Sequence, residues 1–127
     1  MDKVVHFELT ADDVERAKEF YGSTFGWGLQ DVEIGGGTYT IVNTVPVGDD
    51  QLPTERGAIN GAMIRRTPET PSPVITIQVD AIDEALKKIE AGGGSTVTPR
   101  TEVPNMGWFA YFRDPEGNTL GLWETAI

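Results

Sequence analysis

Along residues 4–11 (VVHFELTA) apolar and polar side chains alternate, with Val5, Phe7 and Leu9 on one face and His6, Glu8 and Thr10 on the other. A period of two predicts a half-buried strand. Asp12 follows, with Glu15 three residues later, a capping-box spacing that predicts a helix start. Val14, Ala17, Phe20 and Tyr21 form the apolar stripe of that helix, and Gly22 offers it a stop. The pattern returns after 68 residues. Residues 73–79 (PVITIQV) read as a strand, Asp80 stands where Asp12 stood, and Asp83 comes three residues on. Ile82, Ala85, Leu86 and Ile89 mark a second helix stripe, ended by Gly92-Gly93-Gly94.

Three more strands are predicted after each helix, at about 27–34, 38–44 and 58–66, then at about 95–98, 107–113 and 118–124. Gly35-Gly36-Gly37 supplies one hairpin turn and Asp114-Pro115-Glu116-Gly117-Asn118 another. Each half is therefore βαβββ, giving an α+β fold of two paired modules, 1–67 and 72–127. The helix stripes are expected to pack on Val5, Phe7 and Leu9 and on Ile75, Ile77 and Val79. A mixed sheet with one helix leaves its other face open, so two such modules are expected to curl around a single cleft. Residues 67–73 (TPETPSP) read as a stiff linker. Residues 44–57 form a loop long enough to cover a pocket, although most such loops only connect.

Composition narrows the function. The chain has 127 residues, 39% of them hydrophobic and 24% charged, which suits one globular domain. It has no cysteine, so disulfides and thiolate metal sites are excluded. The net charge of −10 is carried evenly by both halves, leaving no basic face for nucleic acid or an anionic membrane. No apolar run reaches the roughly 20 residues of a membrane span, and the opening MDKVV lacks signal-peptide architecture, so a cytoplasmic location is expected. The second glycine run follows a helix instead of opening one and cannot cradle phosphate as a P-loop does. One histidine, no cysteine and no serine in a G-x-S-x-G setting exclude the common nucleophilic sites.

The segment D-x-x-x-A-x-x-F-Y (Asp13 to Tyr21), followed by Phe25-Gly26-Trp27, Ile59-Asn60-Gly61 and F-x-D-P-x-G-N (Phe112 to Asn118), resembles the vicinal oxygen chelate superfamily across nearly the whole chain. That superfamily includes glyoxalase I, bleomycin-resistance proteins and extradiol dioxygenases. The resemblance implies a homodimer, and one divalent metal held by the first and last strands of each half to act as a Lewis acid on a chelating substrate. Mapped onto this chain, the four ligand positions fall on His6, Val74, Gly121 and, by a shift of 60 that superposes Ala62-Met63 on Leu122-Trp123, Gly61. Only His6 can ligate. The expectation is therefore no metal and no other cofactor, with a divalent metal as the alternative. The paired glycines are expected to leave room where a metal stood. A relocated His6/Glu8/Glu124 site would need a bulge or a partner chain.

His6 and Glu8, two apart on one strand face, are the best catalytic candidates, the imidazole being suited to proton transfer near neutral pH. The expected ligand-binding set is His6, Glu8, Met63, Thr76, Tyr111 and Trp123, a largely apolar wall with a few polar groups. Gln78 shares the parity of Thr76, Phe109 and Arg113 share that of Tyr111, and Tyr39 is a further candidate. The plainer alternative is that Met63 and Trp123 fill the core and His6 is a hydrogen-bonded wall residue. These residues point to a small-molecule-binding protein. The alternatives are a metal-dependent lyase or dioxygenase with a changed ligand set, or a His6-based acid–base catalyst.

Overall fold

In a computed structural model, which describes residues 1–34 and 37–126, both halves adopt the βαβββ plan and the fold is α+β. The first half holds β1 (Lys3–Ala11), α1 (Val14–Phe25), β2 (Gly28–Ile34), β3 (Gly37–Asn43) and β4 (Gly61–Arg65). The second holds β5 (Val74–Gln78), α2 (Ile82–Ala91), β6 (Ser95–Val103), β7 (Gly107–Arg113) and β8 (Thr119–Thr125). Residues 6–73 form one compact unit; residues 1–5 and 74–126 form the other. The Gly35-Gly36 part of the expected hairpin turn lies outside the described residues.

Within the N-terminal unit the strand order is β2-β3-β4-β1, and β1 pairs with β4 in parallel while the other pairs are antiparallel. The C-terminal unit repeats this as β6-β7-β8-β5, with β5 and β8 parallel. Its core is the better filled. Ile82 and Leu86 of α2 are buried against Val79, Ala110, Phe112 and Leu122. In the N-terminal unit Val14, Ala17 and Tyr21 of α1 pack only partly buried on Ala11, Val42 and Met63, and α1 buries no residue fully. At roughly 1.5–3 kcal/mol per fully buried apolar side chain, α2 is the more firmly docked helix.

Several local expectations are corrected. Asp13, not Asp12, caps α1, its Oδ1 accepting the Arg16 N–H at 3.0 Å; Asp12 pairs with Arg66 instead. The helix runs through Gly22 and ends at Gly26, whose φ of 73° is open to glycine at no steric cost. A Cβ at Gly22 would lie 3.5 Å from Leu29 Cδ1, so this glycine fits a close approach of helix to strand. Phe20 does not join the buried stripe. With Tyr21 turned onto the sheet, its neighbour rotates outward and stays 54% exposed, edge-on to Tyr21. Ile75 is likewise 49% exposed, so Ile77 of β5 and Val79 just beyond it make the packing on α2.

The first turn of α2 has no local cap. Ala81 occupies the capping position, and the Ile82 N–H donates to Glu124 Oε1 at 2.8 Å, from β8. Arg100 holds the same carboxylate, Nη2 to Oε2 at 3.0 Å, and lies 4.0 Å over the Trp108 ring. The turn at Asp114–Asn118 forms as expected: Asp114 Oδ1 accepts the N–H of Glu116 and of Asn118, and Gly117 has a φ of 88°.

Candidate functional site

In the N-terminal unit the alternation of β1 sends Phe7 and Leu9 under α1 and leaves His6, Glu8 and Thr10 on the opposite face. Register extends that face. Glu8 stands beside Ala62 of β4, and Ala62 beside Ile41 of β3, which places Tyr39 on the same side. Tyr39 Oη donates to Glu8 Oε2 at 2.9 Å, and Glu8 is only 6% exposed. Sequence parity left Tyr39 without support because its partner is 31 residues away, across β4. His6 is half-buried, and burial pushes its imidazole below the usual value of 6.5, more than the Glu8 carboxylate lifts it. Thr10 Oγ1 is buried with no hydrogen-bond partner among the described residues.

Met63 is not on this face. It stands beside Leu9, is 1% exposed, and packs with Ala11 and Val42 beneath α1, where it lines a cavity of about 290 Å³ together with Val14, Asp31 and Thr40. The same register corrects the comparison of the two halves. Glu8 pairs with Ala62, and Thr76, its counterpart 68 residues on, pairs with Gly121. The counterpart of Gly121 is therefore Ala62 and not Gly61, and that of Met63 is Leu122, also a core residue. With that register, the positions that the resemblance implies are His6 and Ala62 in the N-terminal unit and Val74 and Gly121 in the C-terminal one.

The glycines leave no open room either. A Cβ on Gly61 would meet the Phe7 carbonyl and ring, and one on Gly121 would lie 2.8 Å from Thr76 Oγ1. Both are places of close approach. Glu124, the third residue of the relocated site, sits on the α2 side of its own unit, capping that helix and paired with Arg100. Among the described residues no three histidine, cysteine, aspartate or glutamate side chains are grouped to hold a metal ion. One imidazole with three aliphatic positions does not fit a divalent ion, which takes three or four protein ligands in such sites.

In the C-terminal unit the face opposite α2 carries Thr76 and Gln78 of β5, Gly121 and Trp123 of β8, and Phe109 and Tyr111 of β7. Trp108 and Phe112, of the other parity, pack toward α2. Phe109 stands directly beside Trp123 and meets Tyr111 edge-on, with ring centroids 5.6 Å apart. Trp123 Nε1 donates to Thr125 Oγ1 at 3.2 Å. Arg113 ends this row and is exposed. The structure thus places His6, Glu8 and Tyr39 together in one unit, and Thr76, Tyr111 and Trp123 together in the other.

The 44–57 loop is internally bonded. Gly48 N–H donates to Leu52 O and Thr54 N–H to Pro46 O, each at 2.9 Å. Asn60 Oδ1 accepts the N–H of Thr44 and Val45, and its Nδ2 donates to Val45 O, which ties the base of the loop to the start of β4. No helix among the described residues is long and apolar enough to cross a membrane.

The family model described as the Glyoxalase/Bleomycin resistance protein/Dioxygenase superfamily matches residues 3–122. A protein of Mycobacterium tuberculosis named putative glyoxylase CFP32 is 32% identical over 92% of this chain; the match covers 43% of that protein, so the chain spans less than half its length. A glyoxylase-like domain-containing protein of Didymella fabae is 31% identical, covering 91% of this chain and 88% of its own. Among solved structures, Streptomyces coelicolor methylmalonyl-CoA epimerase superposes with a TM-score of 0.66 at 14% identity, covering 98% of each chain. At that identity the likeness is one of fold.

Proposed function

This chain belongs to the Glyoxalase/Bleomycin resistance protein/Dioxygenase superfamily, and from that premise we propose that it binds a small molecule without the divalent metal usual in that superfamily. One observation carries the reading: of the four ligand positions, three hold Ala62, Val74 and Gly121, whose side chains offer no lone pair. The polar groups that remain are His6, Glu8 and Tyr39. A buried carboxylate and a largely neutral imidazole on one sheet face supply hydrogen-bond acceptors and a donor, which fix the orientation of a ligand without Lewis-acid chemistry. The name glyoxylase, carried by the relatives, is theirs, and their whole-protein activity is not assumed for a chain that spans less than half of CFP32.

A second reading is favoured by His6 itself. An imidazole held below 6.5 by burial is an unprotonated base at neutral pH, and the Glu8 charge on the same face favours the cation formed when it takes up a proton. In this reading the protein is a His6 acid–base catalyst acting on the bound molecule. We infer in addition a homodimer working in the cytoplasm; light scattering at tens of micromolar and cell fractionation check these.

Elemental analysis of untagged protein purified without chelator tests the main reading. Metal well below one equivalent, with a small-molecule panel still producing thermal shifts, is the expected result. Near-stoichiometric divalent metal that is lost in His6→Gln overturns it. Turnover abolished by His6→Gln with ligand affinity kept within a few-fold selects the catalytic reading over simple binding.

A further inference from the structure

We propose that the C-terminal unit presents a platform for a planar, uncharged aromatic ligand bearing neutral oxygen substituents. The inference rests on the small-molecule reading above and names the ligand class for one face of one unit.

Three aromatic side chains lie on the same side of two adjacent antiparallel strands. Phe109 and Trp123 are direct cross-strand neighbours, and Tyr111 follows Phe109 two residues along β7, edge-on at 5.6 Å. All three are only partly buried, although aromatic side chains of this size gain most by full burial. Gly121, the cross-strand neighbour of Tyr111, is buried against Thr76 and adds no side chain to this row.

Charge separates this face from the rest of the molecule. The chain carries 20 Asp and Glu and a net charge of −10. Yet no carboxylate lies on this side of the sheet among the described residues of these strands. β5 contributes Val74, Thr76 and Gln78; β8 contributes Thr119, Gly121, Trp123 and Thr125. On β6 the neighbours of Phe109, Tyr111 and Arg113 are Thr101, Thr98 and Ser95. Glu102 and Glu124 both stand beside Trp108, on the α2 side. Arg113, exposed at the end of β7, is the one ionised group. An anionic ligand is not selected by a single solvated cation in a −10 chain, and a cationic ligand finds no carboxylate here. Hydroxyl and amide groups of Thr76 and Gln78 suit phenolic or quinone oxygens.

The test compares two alcohols of equal skeleton, 1-naphthol and its saturated analogue decahydro-1-naphthol, titrated into the full chain and followed by amide and indole N–H NMR. Trp123→Phe assigns the Trp123 indole signal among those of the three tryptophans. The expected result is about tenfold tighter binding of the aromatic compound, with ring-current shifts at Phe109, Tyr111 and Trp123. Phe109→Leu and Trp123→Leu, which keep apolar bulk, are expected to erase the preference. Phe109→Leu preserves the test if the tryptophan variant fails to fold. Equal affinity for both compounds overturns the platform while leaving small-molecule binding intact. Shifts confined to residues elsewhere, or binding of neither compound, also overturn it. Neither outcome bears on the metal content, which decides the separate reading above.

Discussion

Tyr39 on β3 and Glu8 on β1 are joined by a hydrogen bond of 2.9 Å that spans the intervening strand β4 and closes the polar cluster of the N-terminal unit. Glu8 is 6% exposed, so water cannot replace the phenol at no cost. Tyr39→Phe is expected to destabilise the protein by about 1–3 kcal/mol, because it removes a donor from a buried carboxylate. It should also weaken any ligand held by Glu8. Chemical denaturation, read as a lower midpoint at unchanged slope, checks the first effect. A midpoint unchanged within error contradicts it.

Glu124 performs two tasks with one carboxylate, accepting the first N–H of α2 and pairing with Arg100. Arg100 first, then the Ile82 N–H, hold its carboxyl below the usual value of 4.5. A depressed carboxylate contributes stability that is fully present above its unfolded value and is lost as pH falls through the folded one. Glu124→Ala is expected to cost about 1–2 kcal/mol at pH 7, and its deficit against the parent protein should shrink as the pH drops below about 4.5. Melting curves of both proteins from pH 7 to pH 3 measure this. A deficit independent of pH sinks the assignment.

The division between what could be read from the sequence and what could not follows the range of the interactions. Strand alternation and the Asp114–Asn118 turn are local, and β1, β5 and that turn formed where their patterns placed them, whereas β6 runs on to Val103, past the expected 95–98. The caps are different. Asp12 and Asp13 are adjacent and chemically equal, and only backbone geometry selects Asp13; the cap of α2 comes from Glu124, 42 residues away. Met63 shows the same limit. A one-residue error in aligning β4 with β8 moved it from beneath α1 to the opposite face, since side chains alternate with a period of two. His6 and Glu8 were legible because they lie on one strand. Tyr39 was not, because only the β1-β4-β3 register brings it to them.

Gly121 and Thr76 are in register on parallel strands, and a methyl group on Gly121 would stand 2.8 Å from Thr76 Oγ1. Gly121→Ala is expected to cost about 1–3 kcal/mol through overpacking. Thr76→Ala removes the hydroxyl and methyl it strikes, so the double variant should recover part of that loss. Gly61→Ala meets the Phe7 carbonyl, which belongs to the backbone and cannot turn aside, so its cost should be the larger of the two. Denaturation midpoints of the four variants check the ordering. Gly121→Ala as stable as the parent shows that the face has room after all.

His6 sets the pH dependence expected near neutrality. Burial lowers its folded-state value below 6.5, and the opposing attraction of Glu8 is the smaller effect. The unfolded chain therefore binds a proton at a pH where the folded chain does not, and stability rises with pH across that interval. The contribution is complete above about 6.5 and is lost as pH falls through the folded value. His6→Gln keeps a neutral polar side chain and removes the titration. Between pH 7.5 and pH 5.5 the parent protein should lose more melting temperature than His6→Gln, with the two curves parallel above pH 7.5. The carboxylates are common to both proteins and cancel in the difference. An NMR titration of the His6 ring gives the folded value directly. A midpoint above 6.5 reverses the sign, meaning that Glu8 outweighs burial.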